Sequence, residues 1–277
     1  MNEAADSSAP RMLVNGQPGR RLSALDRGLQ YGDGLFETIR VEQGRLCWFE
    51  RHMARLTLGC ERLGVALPDT DLLRSEAESL VRGMPRALVK IIVTRGVATA
   101  RGYRPSGDEL PTRIVTAYDW PAAPGAEFRV GLSTVPVNTN PLLAGLKHLN
   151  RLEQVLAQRS AAAANLHEAL MCDERGQVVC GSMSNLFLLQ GDDLLTSPDD
   201  ACGVAGIMRS LLVEIAPRLG LRVRYAALAV AQLAAARAII LTNVRLGAQP
   251  VHWYEGRKLE VDARMSLMQE LIDGSAA

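Results

Sequence analysis

Lysine is scarce in this sequence. Among 277 residues there are 31 basic side chains, and only Lys90, Lys147 and Lys258 are lysines. The 30 acidic side chains leave a formal net charge of +1. A chain this close to neutral has no field that attracts nucleic acid or an anionic membrane. We therefore expect a small-molecule substrate held by local charges, with no nucleic acid and no membrane as partner.

Paired cysteines, metal-binding patterns and long apolar runs are also missing. The five cysteines are odd in number and contain no C-x-x-C pair, and the four histidines lack metal-ligand spacing. This argues against a disulfide framework, a zinc ribbon and any catalytic metal. No apolar run approaches the ~20 residues that span a bilayer. The start, MNEAADSSAP, does not have the pattern of a signal peptide. We expect a cytoplasmic protein with a disordered lead-in at residues 1–10.

Regular alternation of strands and helices is absent, and so are the G-x-G-x-x-G and G-x-S-x-G motifs. This argues against a dinucleotide-binding fold and a hydrolase elbow. Strand-like and helix-like segments are instead intermixed, and a Pro/Gly/Ala-rich stretch separates two such groups. We predict an α+β chain with an N-terminal domain at 11–119, a linker at 120–126 and a C-terminal domain at 127–277.

Four longer helices follow from apolar spacing and end signals. The first begins near Glu50 and ends at Gly64, and the second lies in DTDLLRSEAESLVRG, with an aspartate cap and a terminal glycine. A third follows Lys147, where Leu152 and Leu156 continue a spacing that starts at Leu149 and predicts an anchoring apolar face. The fourth lies in IMRSLLVEIAPRLG.

The scarcity of lysine makes Lys147 conspicuous in NPLLAGLKHLNRLEQ. A lysine amine loses its proton when it is desolvated, whereas an arginine does not, and this property suits a residue that forms a Schiff base. Lys258 lies in a turn, and Lys90 alternates with apolar residues in a strand. From the residues alone, Lys147 is a candidate catalytic amine, with an ordinary surface lysine as the alternative.

Two segments have the character of anion sites. GVAGIMRS opens a helix with a glycine-bearing loop, and the exposed amides of a helix start attract phosphate. Taken alone, it is explained as well by a tight turn. In ERHMARL, Arg55 lies one helical turn after Arg51, so the two side chains share a face that either binds an anion or is simply solvated.

The order and spacing of several motifs resemble those of the fold-type IV pyridoxal-phosphate enzymes, the class IV aminotransferase family. The motifs are LDRGLQYGDGLFETIRV, HMARL, RGYRPS, NPLLAGLKHLNRLEQV, SNLFLL, GVAGIMRS and LTNVRLGAQPV. The resemblance covers roughly residues 11 to 265. It implies a two-domain fold like that of D-amino-acid aminotransferases, with a small N-terminal α/β domain and a larger, β-barrel-like C-terminal domain with helices. It also implies a homodimer with pyridoxal 5'-phosphate as cofactor.

The resemblance also implies site residues. Those for the cofactor are Arg55, Lys147, Cys180, Ile207, Met208 and Asn243, and those for the substrate are Tyr31, Thr38, Arg95 and Arg101. Lys147 bonds the cofactor and then serves as general acid and base. Arg55, Asn243 and the backbone amides of Ile207 and Met208 hold the phosphate. Arg101, and with it Arg95, is a candidate for the substrate carboxylates.

Cys180 departs from the family pattern. The family has a glutamate five residues before the asparagine of SNLF, where its carboxylate pairs with the protonated pyridine nitrogen. A neutral thiol is a weak donor or acceptor and cannot strengthen the electron sink in that way. Cys180 is also well explained as a small buried hydrophobic residue.

The family includes branched-chain and D-amino-acid aminotransferases and aminodeoxychorismate lyases, and AGLKHLNRLEQV with TRG…ARGY most resembles the lyases. We therefore predict elimination of pyruvate from 4-amino-4-deoxychorismate, which gives 4-aminobenzoate for folate synthesis. Product aromatisation helps this reaction, so it tolerates a weaker sink than transamination does. The alternatives are an aminotransferase of the same fold and a pyridoxal-phosphate-binding protein with weak or no turnover.

Overall fold

The computed structural model describes residues 11–99, 101–123, 125 and 127–276. The predicted lead-in at residues 1–10 lies outside this range, as do Pro124 and Ala126 of the predicted linker. The chain forms two compact units: one runs to Pro121 and includes Lys147–Asn150, and the other comprises Ala122–Leu146 and Arg151 onward. The domain boundaries predicted from the sequence stay a prediction.

The described residues of the first unit form one antiparallel sheet and three helices. Its strands are β1 (Arg11–Val14), β2 (Gln17–Pro18), β3 (Gly34–Glu42), β4 (Arg45–Leu46), β5 (Arg86–Thr94) and β6 (Thr112–Asp119). Its helices are α1 (Arg27–Tyr31), α2 (Phe49–Leu63) and α3 (Thr70–Val81). The strands lie in the order β2-β1-β6-β5-β3-β4. The long central strands β3 and β5 pair along their whole length, from Gly34 opposite Thr94 to Glu42 opposite Arg86.

Local sequence explains the ends of these elements. β3 turns into β4 at Gln43 and Gly44, which both have positive φ, as a two-residue hairpin turn requires. α2 ends at Gly64, which is left-handed at φ 62 and caps the last turn. Asp69 starts α3 by accepting hydrogen bonds from the amides of Asp71 and Leu72. The two helices predicted for this half are therefore confirmed.

The two faces of β3 differ in burial. Leu35, Glu37 and Ile39 are buried, whereas Phe36 and Thr38, which alternate with them, are half-buried. Alternate residues of a strand point to opposite faces of the sheet. One face of the sheet therefore belongs to the core with α2, and the other, the Phe36 face, retains access to solvent.

The second unit contains eleven strands and four α-helices among its described residues. The strands are β7 (Arg129–Leu132), β8 (Glu168–Cys172), β9 (Gln177–Gly181), β10 (Asn185–Gln190), β11 (Asp193–Thr196), β12 (Arg222–Tyr225), β13 (Leu228–Ala229), β14 (Ala238–Asn243), β15 (Gly247–Pro250), β16 (Trp253–Tyr254) and β17 (Arg257–Lys258). The helices are α4 (Leu152–Ala163), α5 (Ile207–Ile215), α6 (Val230–Ala235) and α7 (Met265–Gly274). The main path of the mixed sheet is β12-β11-β10-β9-β8-β7-β16-β17, and β14 adds to β10. Leu170, Leu186 and Leu188 are fully buried in its core.

Two helices differ from the sequence prediction. α5 gives way to a 3₁₀ turn at Ala216–Leu219, because Pro217 has no N–H to continue the α-helix. The predicted leucine face of α4 is wrong: Leu152 is 78% exposed and Leu156 is 43% exposed, while Ala157 and Ala161 are buried. Alanine has no bulk beyond Cβ, so the inward face of α4 packs on small side chains.

No helix of the described ranges is long and apolar enough to cross a bilayer. No group of three or more His, Cys, Asp or Glu side chains in those ranges is arranged to hold a metal ion.

Candidate active site

Lys147 is fixed in the first unit by backbone pairing with the start of β3. The amide of Phe36 donates to the carbonyl of Lys147 at 2.9 Å, and the amide of Leu149 donates to the carbonyl of Gly34 at 3.0 Å. The half-buried Lys147 Nζ lies 4.2 Å from the centroid of the Phe36 ring. The strand thus fixes the backbone of Lys147, and the ring face attracts its amine.

A second lysine shares the Phe36 ring. Lys90 Nζ lies 4.9 Å from the ring centroid. Lys90 is directly opposite Thr38 in the β3–β5 register, so both side chains are on the Phe36 face. Burial lowers the pKa of Lys90. Sequence reasoning did not select Lys90 as a site residue. The available signals were the scarcity of lysine in the chain and the alternation of Lys90 with apolar neighbours.

Arg55 is held by a buried carboxylate on the other face of β3. Its Nε donates to Glu37 Oε1 at 2.8 Å and its Nη2 to Glu37 Oε2 at 2.5 Å. Burial alone would raise the pKa of Glu37, but the charge of Arg55 and hydrogen bonds from His52 and Arg55 outweigh it, and the pKa falls to about 2. Glu37 is therefore an anion at neutral pH and fixes the guanidinium in a bidentate pair.

His52 is the third member of this group. Its Nδ1 lies 2.6 Å from Glu37 Oε2. Burial lowers the pKa of His52, and the charges of Arg55 and Lys147 also act in that direction. A neutral imidazole beside a carboxylate carries its proton on Nδ1. The buried Nε2 is then an acceptor, and it has no hydrogen-bond partner among the described residues.

The three predicted substrate residues outside the Phe36 face occupy different environments. Arg101 is exposed, whereas Tyr31 is half-buried with its ring 5.4 Å from that of Tyr103. The guanidinium of Arg95 donates to Asp33 and to the carbonyls of Leu63 and Gly64. These contacts indicate that Arg95 stabilises the fold, and they favour Arg101 for contact with a substrate.

The predicted residues of the second unit converge on neighbouring strands. Cys180 of β9 pairs with Asn185 of β10, and Asn185 pairs with Thr242 of β14. Directly opposite residues of antiparallel strands share a face. Thr242 is 1% exposed, and its hydroxyl has no hydrogen-bond partner in the part of the chain that the structure describes. Thr242 was missed by sequence reasoning, which selected its neighbour Asn243.

Asn185 also fixes the loop that enters α5. Its Nδ2 donates to the carbonyl of Val204 at 2.8 Å. A Cβ on Gly206 would lie 1.9 Å from Asn185 Oδ1, so only glycine fits there. Gly206 is the N-cap of α5 and provides no side-chain hydrogen bond. The first amides of the helix, at Ile207 and Met208, therefore lack both an intrahelical acceptor and a side-chain cap.

This helix start fits a phosphate group. Uncapped amides at the positive end of a helix dipole bind phosphate. The unpartnered hydroxyl of Thr242 belongs to the residue directly opposite Asn185, which fixes this loop. Asn243 is less available than predicted, because its Oδ1 accepts from the amides of Arg245 and Leu246. The chemistry of these donors fits the phosphate of the cofactor predicted from the sequence.

Cys180 lies in an apolar cluster with Met171, Val179 and Cys202. Burial raises the pKa of the Cys180 thiol to about 12, with the nearby Cys202 and Glu168 acting in the same direction. The thiol is therefore neutral at physiological pH. The buried carboxylate of Glu168 accepts hydrogen bonds from the hydroxyls of Ser182 and Ser184, which stabilises the turn after Cys180.

The family follows from this fold and these motifs. The model of the family described as Amino-transferase class IV matches residues 34–254. The chain belongs to this family, and the α+β, fold-type IV architecture predicted from the sequence is confirmed.

Individual relatives are similar over nearly the whole chain. The aminodeoxychorismate lyase of Vibrio harveyi is 30% identical over 266 residues, which cover 95% of this chain and 98% of that protein. The crystal structure of 4-amino-4-deoxychorismate lyase from Pseudomonas aeruginosa is 39% identical with a TM-score of 0.88, covering 95% of this chain and 98% of its own. The D-alanine aminotransferase of Bacillus licheniformis is 28% identical and covers 90% of each chain.

Proposed function

We propose that this protein eliminates pyruvate from 4-amino-4-deoxychorismate to give 4-aminobenzoate. The observation that carries the proposal is the 39% identity, over 95% of the chain, to a lyase structure with a TM-score of 0.88. The similarity to the Vibrio harveyi lyase extends over the same share of this chain. The remaining support comes from the side chains of the two units.

The cofactor of this family is pyridoxal phosphate. When bound, it withdraws electrons from the carbon that bears the substrate amine, which makes a proton on that carbon removable. Lys147 provides the amine that bonds the cofactor. The amides of Ile207 and Met208 provide a phosphate site at the start of α5. The family resemblance assigns Arg55, which Glu37 orients, to phosphate binding as well.

Lys147 moves the proton at its Nζ. The amine is half-buried and lies over an apolar ring, and a desolvated ammonium loses its proton more readily than an arginine. The released amine takes the proton and returns it elsewhere on the substrate, as general acid and base. Backbone pairing with β3 limits the movement of Lys147 to its side chain.

The substrate has two carboxylates, and the first unit offers two cationic groups for them, Lys90 and Arg101. Lys90 is half-buried beside Phe36, and Arg101 is exposed. Lys90→Gln removes one of these charges, whereas Lys90→Arg keeps it. We expect the glutamine variant to raise the KM for aminodeoxychorismate about tenfold, consistent with loss of one charge-assisted hydrogen bond, and the arginine variant to raise it less.

Cys180 favours elimination over transamination. A thiol with a pKa of about 12 offers no negative charge to keep a pyridine nitrogen protonated, so the electron sink is weak. Elimination gains driving force from the aromatic product, and transamination has no such gain. The buried neutral thiol therefore supports the lyase assignment.

The test is to incubate the cofactor-loaded protein with aminodeoxychorismate and to follow 4-aminobenzoate by fluorescence and pyruvate by a coupled reduction. Equal amounts of the two products are expected from the wild type. Lys147→Ala should form neither, whereas Lys258→Ala should match the wild type, because Lys258 lies in an exposed strand at a turn. Cofactor binding without either product would contradict the proposal, and the additional absence of glutamate formation from 2-oxoglutarate would identify a binding protein.

The second candidate is a D-amino-acid or branched-chain aminotransferase, which the similarity to the Bacillus licheniformis D-alanine aminotransferase supports. It predicts sustained glutamate formation from 2-oxoglutarate with D-alanine or leucine. If that rate exceeds the rate of 4-aminobenzoate formation, the aminotransferase assignment replaces the lyase.

We also propose that the protein acts as a homodimer in the cytoplasm. The dimer follows from the family resemblance and is tested by light scattering. All five cysteines are free, which suits a reducing compartment.

A further inference from the structure

Two arginines of the first unit share one carboxylate. Arg27 Nε and Arg95 Nε each lie 2.8 Å from Asp33 Oδ2, and Arg95 Nη2 lies 3.1 Å from Asp33 Oδ1. The side chains of Arg27, Arg95 and Asp33 are 4%, 11% and 15% exposed. Because two cations this close repel each other when desolvated, Asp33 is required to keep both in place.

The other ends of the two guanidinium groups bind backbone carbonyls. Arg27 Nη1 donates to the carbonyl of Gly102 at 3.1 Å, and its Nη2 donates to that of Tyr103 at 2.7 Å. Arg95 donates to the carbonyls of Leu63 and Gly64 at the end of α2. The carboxylate of Asp33 therefore connects the end of α2 with the segment at 102–103.

Residues 96–98 and residues 102–103 are both attached to the segment at Leu25–Arg27. The amide of Arg27 donates to the carbonyl of Gly96 at 2.8 Å, and the amide of Ala98 donates to that of Leu25 at 3.0 Å. We call residues 96–99 and 101–104 the arginine loop, because it carries the exposed Arg101 and Arg104. Its first residues are held by backbone bonds and its last by Arg27, so its conformation depends on where Arg27 is.

The arginine loop presents a cation and an aromatic ring together. Tyr103 is 83% exposed, and its ring meets that of Tyr31 edge-on at 5.4 Å. The guanidinium of Arg27 lies 5.0 Å from the Tyr31 ring centroid. Arg27 thus contacts the carbonyl of Tyr103 and the ring against which Tyr103 rests, which fixes the part of the loop next to Arg101.

We propose that Asp33 is a positioning residue, which acts through Arg27 to hold the arginine loop so that Arg101 meets a carboxylate of the substrate. The proposal rests on the proposed function, which provides a dicarboxylate substrate. Asp33 and Arg27 do not touch the substrate themselves. Their role is to reduce the number of conformations of Arg101 before the substrate binds, which lowers the entropic cost of binding.

The experiment compares Asp33→Asn with the wild type in two measurements. The first is the rate of limited trypsin cleavage after Arg101, which reports how often the loop opens. The second is the dissociation constant of chorismate, measured by calorimetry on the cofactor-loaded protein. Chorismate keeps both carboxylates but has a hydroxyl in place of the amine, so it binds without reacting. Asp69→Asn is the matched control, because the Asp69 carboxylate caps α3 by accepting from the amides of Asp71 and Leu72.

We expect Asp33→Asn to be cleaved at least about tenfold faster, since Arg27 is no longer fixed where it donates to the carbonyls of Gly102 and Tyr103, while Asp69→Asn is cleaved at the wild-type rate. The dissociation constant of chorismate should rise about tenfold in Asp33→Asn, and that of pyridoxal phosphate should stay within about twofold, because only the loop is affected. Arg101→Gln should weaken chorismate binding to the same degree. The double variant should bind chorismate no more weakly than Arg101→Gln alone, because both changes remove the same interaction between Arg101 and the ligand.

Arg27→Lys provides a second route if Asp33→Asn does not fold. It keeps a positive charge beside Asp33 but cannot make the two carbonyl bonds of the guanidinium, and it should reproduce both effects.

Each negative outcome has a defined meaning. Unchanged trypsin cleavage in both Asp33→Asn and Arg27→Lys would overturn the clamping of the loop. Faster cleavage with unchanged chorismate affinity would overturn the link from Asp33 to Arg101. If the wild type binds pyridoxal phosphate but neither binds chorismate nor forms 4-aminobenzoate, the proposed function fails and the role of Arg101 fails with it, whereas the trypsin result still decides the clamp.

Discussion

Lys147 and Phe36 contact each other twice. The amide of Phe36 donates to the carbonyl of Lys147 at 2.9 Å, and the Lys147 amine lies 4.2 Å from the centre of the Phe36 ring. The backbone hydrogen bond fixes the main chain of Lys147, and the Phe36 ring fixes the position of its amine. A flexible four-carbon side chain is thereby directed to one face of the sheet.

Replacing this lysine should abolish covalent attachment of the cofactor. Lys147→Ala has no amine at this position, so the visible absorption band of lysine-bound pyridoxal phosphate should be missing after cofactor is added. Lys90→Ala should retain the band, because its amine shares the Phe36 ring but is not the predicted attachment point. A band that persists in Lys147→Ala and disappears in Lys90→Ala would reassign the attachment to Lys90.

Glu37 should contribute acid-sensitive stability. Its folded-state pKa of about 2 lies below the ordinary value of 4.5. The stabilisation is therefore present above about pH 4.5 and is lost as the pH falls toward 2. Glu37→Gln should lower the free energy of unfolding by roughly 3–5 kcal/mol at pH 7, because the Arg55 guanidinium, whose side chain is only 10% exposed, is left with a neutral partner.

Urea unfolding of wild type and Glu37→Gln at several pH values measures this effect. The difference between the two proteins should shrink between pH 4.5 and the acid limit of folding. The exposed Glu78 on α3 provides the control Glu78→Gln, for which we expect a change within about 0.5 kcal/mol. A wild-type advantage that stays constant through the acid range would contradict an ionised Glu37.

Gly206→Ala should weaken cofactor binding through the phosphate. The new Cβ would lie 1.9 Å from Asn185 Oδ1, so the loop before α5 must move away from Asn185, and the amides of Ile207 and Met208 move with it. We expect the dissociation constant of pyridoxal phosphate to rise about 10- to 100-fold, equivalent to roughly 1.4–2.8 kcal/mol. Fluorescence titration of the apoprotein measures it.

Gly274→Ala is the control for that substitution, since a Cβ on Gly274 meets nothing within 4 Å. Gly274 lies in α7 of the same unit, and the variant should bind the cofactor like the wild type. Equal affinities for the two variants would show that the start of α5 does not bind the phosphate.

Cys180→Glu should shift the reaction toward transamination. A carboxylate at this position restores a partner for a protonated pyridine nitrogen and strengthens the electron sink. We expect glutamate formation from D-alanine and 2-oxoglutarate to rise about tenfold, which corresponds to roughly 1.4 kcal/mol in the barrier. Cys180→Ser introduces a neutral group and should leave this side reaction unchanged.

Thermal unfolding gives an independent measure for the same variant. A glutamate in the apolar cluster of Cys180 should destabilise the apoprotein, and added cofactor should raise its melting temperature more than that of the wild type. An equal rise in both proteins would mean that Cys180 does not face the cofactor ring.

The sequence predicts some of these features because they depend on local chemistry. Gly64 ends α2 and Asp69 begins α3 through contacts within a few residues, so the sequence alone predicts both helix ends. The scarcity of lysine marks Lys147 for a similar reason, since it concerns one side chain. Lys90 and Thr242 were missed because their environments are made by other strands, which bring Phe36 beside one and Asn185 beside the other.

Packing decided where local patterns failed. The leucines of α4 have helical spacing, yet Ala157 and Ala161 are the residues that face inward, so hydrophobicity alone does not select the buried side. Arg95 and Asn243 are residue types that bind anions and phosphate. Arg95, however, already donates to Asp33 and to the end of α2, which are distant in sequence. The Asn243 side-chain oxygen already accepts from the turn that follows it. Residue type identifies what a side chain is able to bind, and the fold determines what it does bind.

The assignment of Lys147–Asn150 to the first unit has a consequence for synthesis on the ribosome. Strands β1 to β6 all emerge before this segment, yet Gly34 and Phe36 at the start of β3 have their hydrogen bonds with Leu149 and Lys147. Until those residues emerge, the beginning of β3 is paired with β5 on one side only, and its other edge is open, as are the strand edges that recruit other chains. A nascent chain stalled between Asp119 and Lys147 should therefore be the form of this protein most prone to aggregate and most dependent on chaperones.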